Sequence, residues 1–185
     1  PVLVNVHGGA FTAGSGRSGE GRRWAAEDDV VFVSINYRLG ALGFLHLPQW
    51  LGEPYGDSGN CGLLDVVAAL RWVRENIARF GGDPGRVTLI GGSAGAKLIS
   101  SLLAVPAARG LFRGIIAQSG ATQSVRDAGT ACRIAELLLD QLELKPSEAR
   151  KLTELPAVDL IAAQQRIAGG LHRFGPVIDG VTIPE

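Results

Sequence analysis

The sequence predicts an α/β fold with a central, mostly parallel sheet and flanking helices. Three observations carry that expectation: short apolar runs recur along the chain, helical patterns alternate with them, and glycine-rich turns follow the runs. At 185 residues with 46% hydrophobic content, the chain is long enough to bury a core.

Val2 to Val6 is the first apolar run and ends in His7-Gly8-Gly9; Val30 to Ile35 is the second and ends in Asn36-Tyr37-Arg38. Runs without polar alternation suit strands covered on both faces, as in parallel sheets. The Gly- and Pro-rich connection from Ala41 to Asn60 is expected to be a long loop, of the kind that forms functional rims. Leu63, Val66, Val67, Leu70, Val73, Ile77 and Phe80 then recur at three- and four-residue spacing, which predicts an amphipathic helix. Gly81-Gly82-Asp83-Pro84-Gly85 stops it. Val87 to Ile90 reads as a third strand, with Ser93 just past its end. Ala94 to Val105 returns to helix and stops before Pro106, and Gly114 to Gln118 is a fourth strand followed by Ser119-Gly120. Asp127 to Ala168 is expected to be helical throughout, divided by Pro146 and Pro156, and Val177-Ile178 is the remaining strand candidate.

Composition excludes several function classes. Lys+Arg and Asp+Glu balance at 18 each, so no basic stripe is available for nucleic acid. No apolar run approaches the ~20 residues of a membrane-spanning helix, and the N-terminus has no signal-peptide pattern. Cys61 and Cys132 form no CxxC pair and stand beside no His cluster, so neither a metal nor a redox cofactor is expected; both read as packed thiols, with a disulfide left open. Compartment is open between cytoplasm and exterior, with the cytoplasm favoured, and oligomeric state is unassigned. The chain contains no Met and opens inside a strand, so it is expected to be a piece of a longer protein.

Gly91-Gly92-Ser93-Ala94-Gly95 fits G-x-S-x-G, here in the strand–turn–helix context that gives the pattern meaning. A sharp turn of this kind needs small neighbours, because the backbone is strained and other segments approach closely. It lifts the serine hydroxyl clear of the sheet and points the amides of the following helix toward a developing oxyanion. His7-Gly8-Gly9-Ala10 closes an earlier strand, where an α/β-hydrolase fold places its second set of oxyanion donors. A chance glycine turn is the bland alternative for each motif, and two such loops together weigh against it.

These residues resemble the type-B carboxylesterase and cholinesterase-like family, most closely its bacterial p-nitrobenzyl esterase kind. Phe80-Gly81-Gly82, then Val87-Thr88-Leu89-Ile90-Gly91 and Ser93-Ala94-Gly95, looks like the family's serine signature. Asn36-Tyr37-Arg38-Leu39-Gly40, Gly59-Asn60-Cys61-Gly62-Leu63-Leu64-Asp65, Ala69-Leu70-Arg71-Trp72-Val73, Gln118-Ser119-Gly120, His7-Gly8-Gly9-Ala10-Phe11 and Gly43-Phe44-Leu45-His46-Leu47 agree in order and spacing. Hormone-sensitive-lipase-like esterases share the HGG loop and GxSAG elbow, and lack the Asn-Tyr-Arg-Leu-Gly and Phe-Gly-Gly-Asp-Pro framing. The resemblance implies a partial α/β-hydrolase domain over residues 1–185, without its first and last strands and with a mainly helical segment at about 127–168.

It further implies a serine carboxylesterase acting on small-molecule esters without cofactor. Ser93 is the nucleophile, the amides of Gly9, Ala10 and Ala94 form the oxyanion hole, Gly8, Gly91 and Gly95 support them, and Ser119, near the elbow, supports the catalytic histidine of the complete protein. Serine needs an imidazole base oriented by an acid. The resemblance places both beyond Glu185, so the chain alone is expected to be inactive. Asp159 and His172 fit the chain order of a triad and are rejected, because both sit in or beside the helical segment. His7 is expected to brace its loop, His46 to lie in a loop or at a pocket rim, and Asp65 to make a structural hydrogen bond. Phe11 and Phe44-Leu45 either line a substrate pocket or pack in the core. The family usually carries Glu before the nucleophile, where this chain has Gly92; Ala96 stands for a usual glycine and Lys97 follows it. The competing reading is a non-catalytic, cholinesterase-like interaction module or an inactive fragment.

Overall fold

The computed structural model describes residues 1–18, 21–121, 125–167 and 174–185. Four parallel strands, β1 (Val2–Val6), β2 (Val31–Ile35), β3 (Val87–Gly92) and β4 (Gly114–Gln118), form one sheet in the order β2-β1-β3-β4. The unalternating apolar runs become strands as expected; burial accounts for the central pair β1 and β3, while at the edges β2 is mostly half-buried and β4 mostly exposed. Val2, Val4 and Val6 of β1 and Val87 and Leu89 of β3 are buried in the middle of the sheet. Asn5, the polar exception in β1, donates through Nδ2 to Ser34 Oγ at 3.1 Å, and Ser34 is its register partner on β2.

The long helix α4 (Cys61–Asn76) buries Leu63, Val66, Val67, Leu70 and Val73, and Ile77 extends this face. Phe80 departs from the expectation and is 62% exposed. It ends a 3₁₀ segment, Ile77–Phe80, whose three-residue period rotates it off the 3.6-residue stripe and against exposed Trp72, with ring centroids 5.9 Å apart. Gly81 closes the segment at φ +81°, and Asp83 Oδ1 accepts from the Gly85 amide at 2.8 Å to make the turn into β3.

The expected loop from Ala41 to Asn60 is instead a chain of short helical turns. These are α2 (Gly40–Phe44), α3 (Pro48–Leu51) and 3₁₀ turns at Glu53–Tyr55 and Ser58–Asn60; an earlier helix, α1 (Gly21–Glu27), lies over β2. Pieces this short carry no periodic signal, and their hold is tertiary: Phe44, Leu45 and Leu47 are buried in the core. α6 (Ala128–Gln141) and α7 (Ala157–Ile167) match their sequence patterns, α5 (Ala94–Ser101) ends short of the expected Val105 and passes into a 3₁₀ turn at Leu102–Ala104, and Asp127 caps α6 by accepting from the Thr130 amide at 2.7 Å. The piece between the prolines, Pro146–Thr153, is 3₁₀ rather than α. Val177 makes a single parallel bridge to Arg126 in place of a strand, and both cysteines are free thiols. No helix among the described residues is long and apolar enough to cross a membrane.

Residues 174–183 are clasped to the start of α4. Buried Asn60 accepts from the Val177 amide at 3.0 Å and donates to Val177 O and Asp179 Oδ2 at 2.8 and 2.7 Å. Asp179 Oδ1 in turn accepts from the amides of Val181, Thr182 and Ile183. His46 lies in a loop, but inside this buried cluster and not at a pocket rim: it is 6% exposed, and its Nδ1 has no hydrogen-bond partner among the described residues. Burial holds its pKa below the usual imidazole range, and Asp179 pulls weakly the other way. As pH falls, the unfolded chain takes up this proton first. The stability from neutral His46 is therefore complete above about pH 6.5 and is lost progressively below it. Melting temperature is expected to drop more steeply from about pH 7 to about pH 5 in the native protein than in His46→Phe. Parallel curves would mean that the cluster accepts the proton without cost.

Candidate active site

In this sheet β1 is followed by its neighbour on one side, β2, while β3 lies on its other side and is followed outward by β4. The crossovers therefore diverge at the carboxyl ends of β1 and β3, the position where open parallel sheets leave a crevice for ligands. The loop after β1 is His7-Gly8-Gly9-Ala10, and the turn after β3 carries Ser93. Val6 and Gly91 are register partners, so the two loops leave the sheet side by side.

Contact distances show why glycine occupies three of the predicted supporting positions. A Cβ on Gly95 would lie 1.9 Å from Val6 O, one on Gly91 would meet Gly95 C at 2.6 Å, and one on Gly8 would meet Gly92 O at 2.7 Å and Ser93 Cβ at 3.3 Å. α5, β1 and β3 thus touch backbone to backbone around the serine. Gly92 differs: its φ lies outside the left-handed region, and an added Cβ would meet nothing within 4 Å.

Ser93 itself adopts φ 54°, ψ −117°, a costly conformation for a residue with a side chain. Its backbone is held on both sides. The Ser93 amide donates to Gln118 O at the end of β4 at 2.8 Å, and its carbonyl accepts from the Lys97 amide one turn into α5 at 3.1 Å. A Cβ on Gly120 would come within 2.7 Å of that carbonyl, so the loop after β4 closes against the elbow. The side chain is free of these restraints: Ser93 is exposed, and its Oγ hydrogen-bonds to no described residue.

The loop after β1 is equally constrained. Gly9, Ala10 and Phe11 have φ of +118°, +54° and +64° in succession, and Gly9 O accepts from the amides of Thr12 and Ala13. His7 braces the loop, as its sequence position suggested. Its ring stacks on Tyr37 with centroids 4.5 Å apart, and Nδ1 donates to Gly8 O at 2.7 Å. The Tyr37 hydroxyl donates to His7 O at 2.8 Å, and burial raises the phenol pKa, keeping the proton on this donor. Asp65 has the structural role expected of it: it takes the Arg38 amide at 2.8 Å and the guanidinium fork through both oxygens, fixing the segment after β2. The amides of Gly9, Ala10 and Ala94 donate to no described residue.

Three of the other predicted residues pack in the core. Phe11 is fully buried edge-to-face on Phe44 at 5.4 Å, and Leu45 is buried too, so core packing describes all three. Ser119 is exposed in the loop after β4 at φ +56°, and its side chain bonds to no described residue. Asp159 is exposed on the first turn of α7, and His172 lies outside the described residues. Cavities among the described residues, of about 400 Å³ beside α2 and α7 and about 580 Å³ beside Ser100 and Leu103, do not include Ser93. Sequence reasoning missed Gln164, a polar residue on α7 that is only 7% exposed; its sole local signal is a glutamine on the apolar face with Leu160, Ala163 and Ile167.

The profile of the carboxylesterase family matches residues 1–185. Para-nitrobenzyl esterase of Bacillus subtilis is 45% identical over all of this chain and 39% of its own length. The solved carboxylesterase EST55 of Geobacillus stearothermophilus superposes with a TM-score of 0.94 at 46% identity, again over all of this chain and 39% of that one. Mouse neuroligin-2 is 38% identical over the whole chain and 22% of its own length. The chain spans about 39% of the length of the two esterases. With a strained serine elbow and a glycine loop side by side at the switch point of a parallel sheet, and a family match from end to end, this chain belongs to the carboxylesterase family.

Proposed function

We propose that the protein carrying this chain is a serine carboxylesterase that hydrolyses small-molecule carboxylic esters through an acyl-enzyme on Ser93. The observation that carries the reading is the elbow: a serine held at φ 54° by backbone bonds on both sides, its hydroxyl bonded to no described residue, beside three amides that donate to no described residue. Ser93 Oγ attacks the ester carbonyl carbon while its proton passes to an imidazole base. The carbonyl oxygen becomes an oxyanion within reach of the Gly9, Ala10 and Ala94 amides. Collapse expels the alcohol, which takes the proton from the imidazolium, and water repeats the sequence to release the acid. The base and its orienting acid are proposed to come from the sequence that follows Glu185, since the rings of His7 and His46 are committed elsewhere. A fluorophosphonate probe on the full-length protein tests this: peptide mapping should find the label on Ser93, and a label on another serine overturns the assignment.

The second reading, a non-catalytic interaction module, draws on the likeness to neuroligin-2 and on Gly92 in place of the resembled family's Glu. An enzyme weakened by that change should be improved by reversing it. Gly92→Glu in the full-length protein is expected to raise turnover by up to about tenfold, ~1.4 kcal/mol of transition-state stabilisation, by favouring the imidazolium. The backbone at Gly92 is already suited to a side chain, and a Cβ there would meet nothing within 4 Å. Melting temperature should therefore stay unchanged, and lower turnover would refute the electrostatic account.

A further inference from the structure

The unusual backbone of the glycine loop after β1 is not self-supporting. Ala10 and Phe11, neither of them glycine, both sit at positive φ, and Phe11 O is fixed by the Gly40 amide at 2.6 Å. Gly40 opens α2, and Phe44 at the other end of α2 holds the Phe11 ring. This short helix thus grips the loop at both its backbone and its side chain.

What fixes the start of α2 comes from far along the chain. Gln164 Oε1, buried on α7, accepts from the Ala41 amide at 2.7 Å across 123 residues. The Gln164 carboxamide also fills the space over Gly40, where a Cβ would sit 1.9 Å from Oε1; φ +55° at Gly40 suits glycine as well. The unbroken series is Gln164 to Ala41-Gly40, Gly40 to Phe11, and Phe11 to Ala10 and Gly9.

We propose that Gln164 is a positioning residue for the oxyanion loop, acting through α2 to hold the Gly9 and Ala10 amides where the transition-state oxygen forms. This rests on the reading of those amides as oxyanion donors. A side chain of apolar shape at 164 would leave the Ala41 amide without its acceptor and release the Gly40 turn. The loop would then relax from its strained angles, and the effect would fall on the transition state rather than on substrate binding.

In the full-length protein, Gln164→Met is expected to lower kcat about tenfold with KM within about twofold, less than the loss of a whole donor. A trifluoromethyl ketone reports the oxyanion directly. Ser93 Oγ bonds to its carbonyl carbon, the C=O π pair becomes the oxyanion, and the hydroxyl proton passes to the base. Its affinity should fall by the same factor as kcat. Gln164→Glu keeps an acceptor oxygen in place and should recover most of both values. Leu160→Ala, a buried change on the same helix, should lower the melting temperature while leaving ketone affinity within about twofold. If Gln164→Met yields no folded protein, Gln164→Asn withdraws the acceptor by one methylene and should show the same paired loss. Native kcat and ketone affinity in Gln164→Met or Gln164→Asn, no recovery in Gln164→Glu, or an equal loss in Leu160→Ala would each overturn the proposal. Ser93→Ala separates the two levels: if it retains hydrolysis, the serine-esterase reading fails, and if it abolishes hydrolysis while Gln164→Met behaves as native, only the relay fails.

Discussion

Ser93→Ala in the full-length protein is expected to reduce ester turnover by about 10⁶-fold, the scale seen when a serine protease loses the nucleophile of a triad that acts as a unit. The residual rate should still exceed that of water, because the Gly9, Ala10 and Ala94 amides are backbone groups that the substitution does not remove. Stability should change little, within about 0.5 kcal/mol, because Ser93 is exposed and its hydroxyl bonds to no described residue. The elbow is held by the Ser93 amide and carbonyl, which alanine retains. Initial rates with a p-nitrophenyl ester, taken with a melting curve, check both halves. A loss of less than tenfold, with melting unchanged, would remove Ser93 from the chemistry.

Gly95→Ala is expected to be the most damaging small substitution at the site. Its methyl would sit 1.9 Å from Val6 O and 2.8 Å from His7 O, against backbone that is paired on both sides in the middle of the sheet. β1 cannot yield without disturbing its ladders to β2 and β3, so α5 must move away. The cost is expected to be about 3 kcal/mol or more, at the upper end for overpacking. Turnover should fall about 10²-fold in the molecules that do fold, because the shift separates Ser93 from the loop after β1. Gly92→Ala is the matched control: three residues away, with nothing within 4 Å of the added Cβ, it should stay within about 0.5 kcal/mol of native. Urea denaturation of the two variants gives the contrast, and equal midpoints would refute the close β1–α5 contact.

Those two glycines show where sequence stops and tertiary structure begins. Gly91, Gly92 and Gly95 look alike in the motif, yet Gly91 and Gly95 are excluded from carrying a side chain by backbone from other elements, and Gly92 is not. The motif reports that a tight turn is present; which of its glycines are sterically required depends on contacts with β1 and α5, which no local pattern encodes.

By itself the sequence determined what short-range physics controls. Apolar runs specify the parallel strands, and a three- and four-residue repeat specifies the inner face of α4. The serine turn and the glycine loop were legible for the same reason: close backbone approach demands small residues at fixed offsets. Tertiary structure decided the rest. The chain from Ala41 to Asn60 reads as a loop because helices of four or five residues have no period to detect, and it is packing that shapes them, α2 against α4 and α7 and α3 against Pro146–Thr153. Phe11 and Phe44, ambiguous between pocket and core, were settled by each other's rings, and His46 by the cluster around Asn60 and Asp179. Gln164 was invisible because its partners stand 123 residues away, and a hydrogen bond between distant segments leaves no spacing in the sequence to mark it.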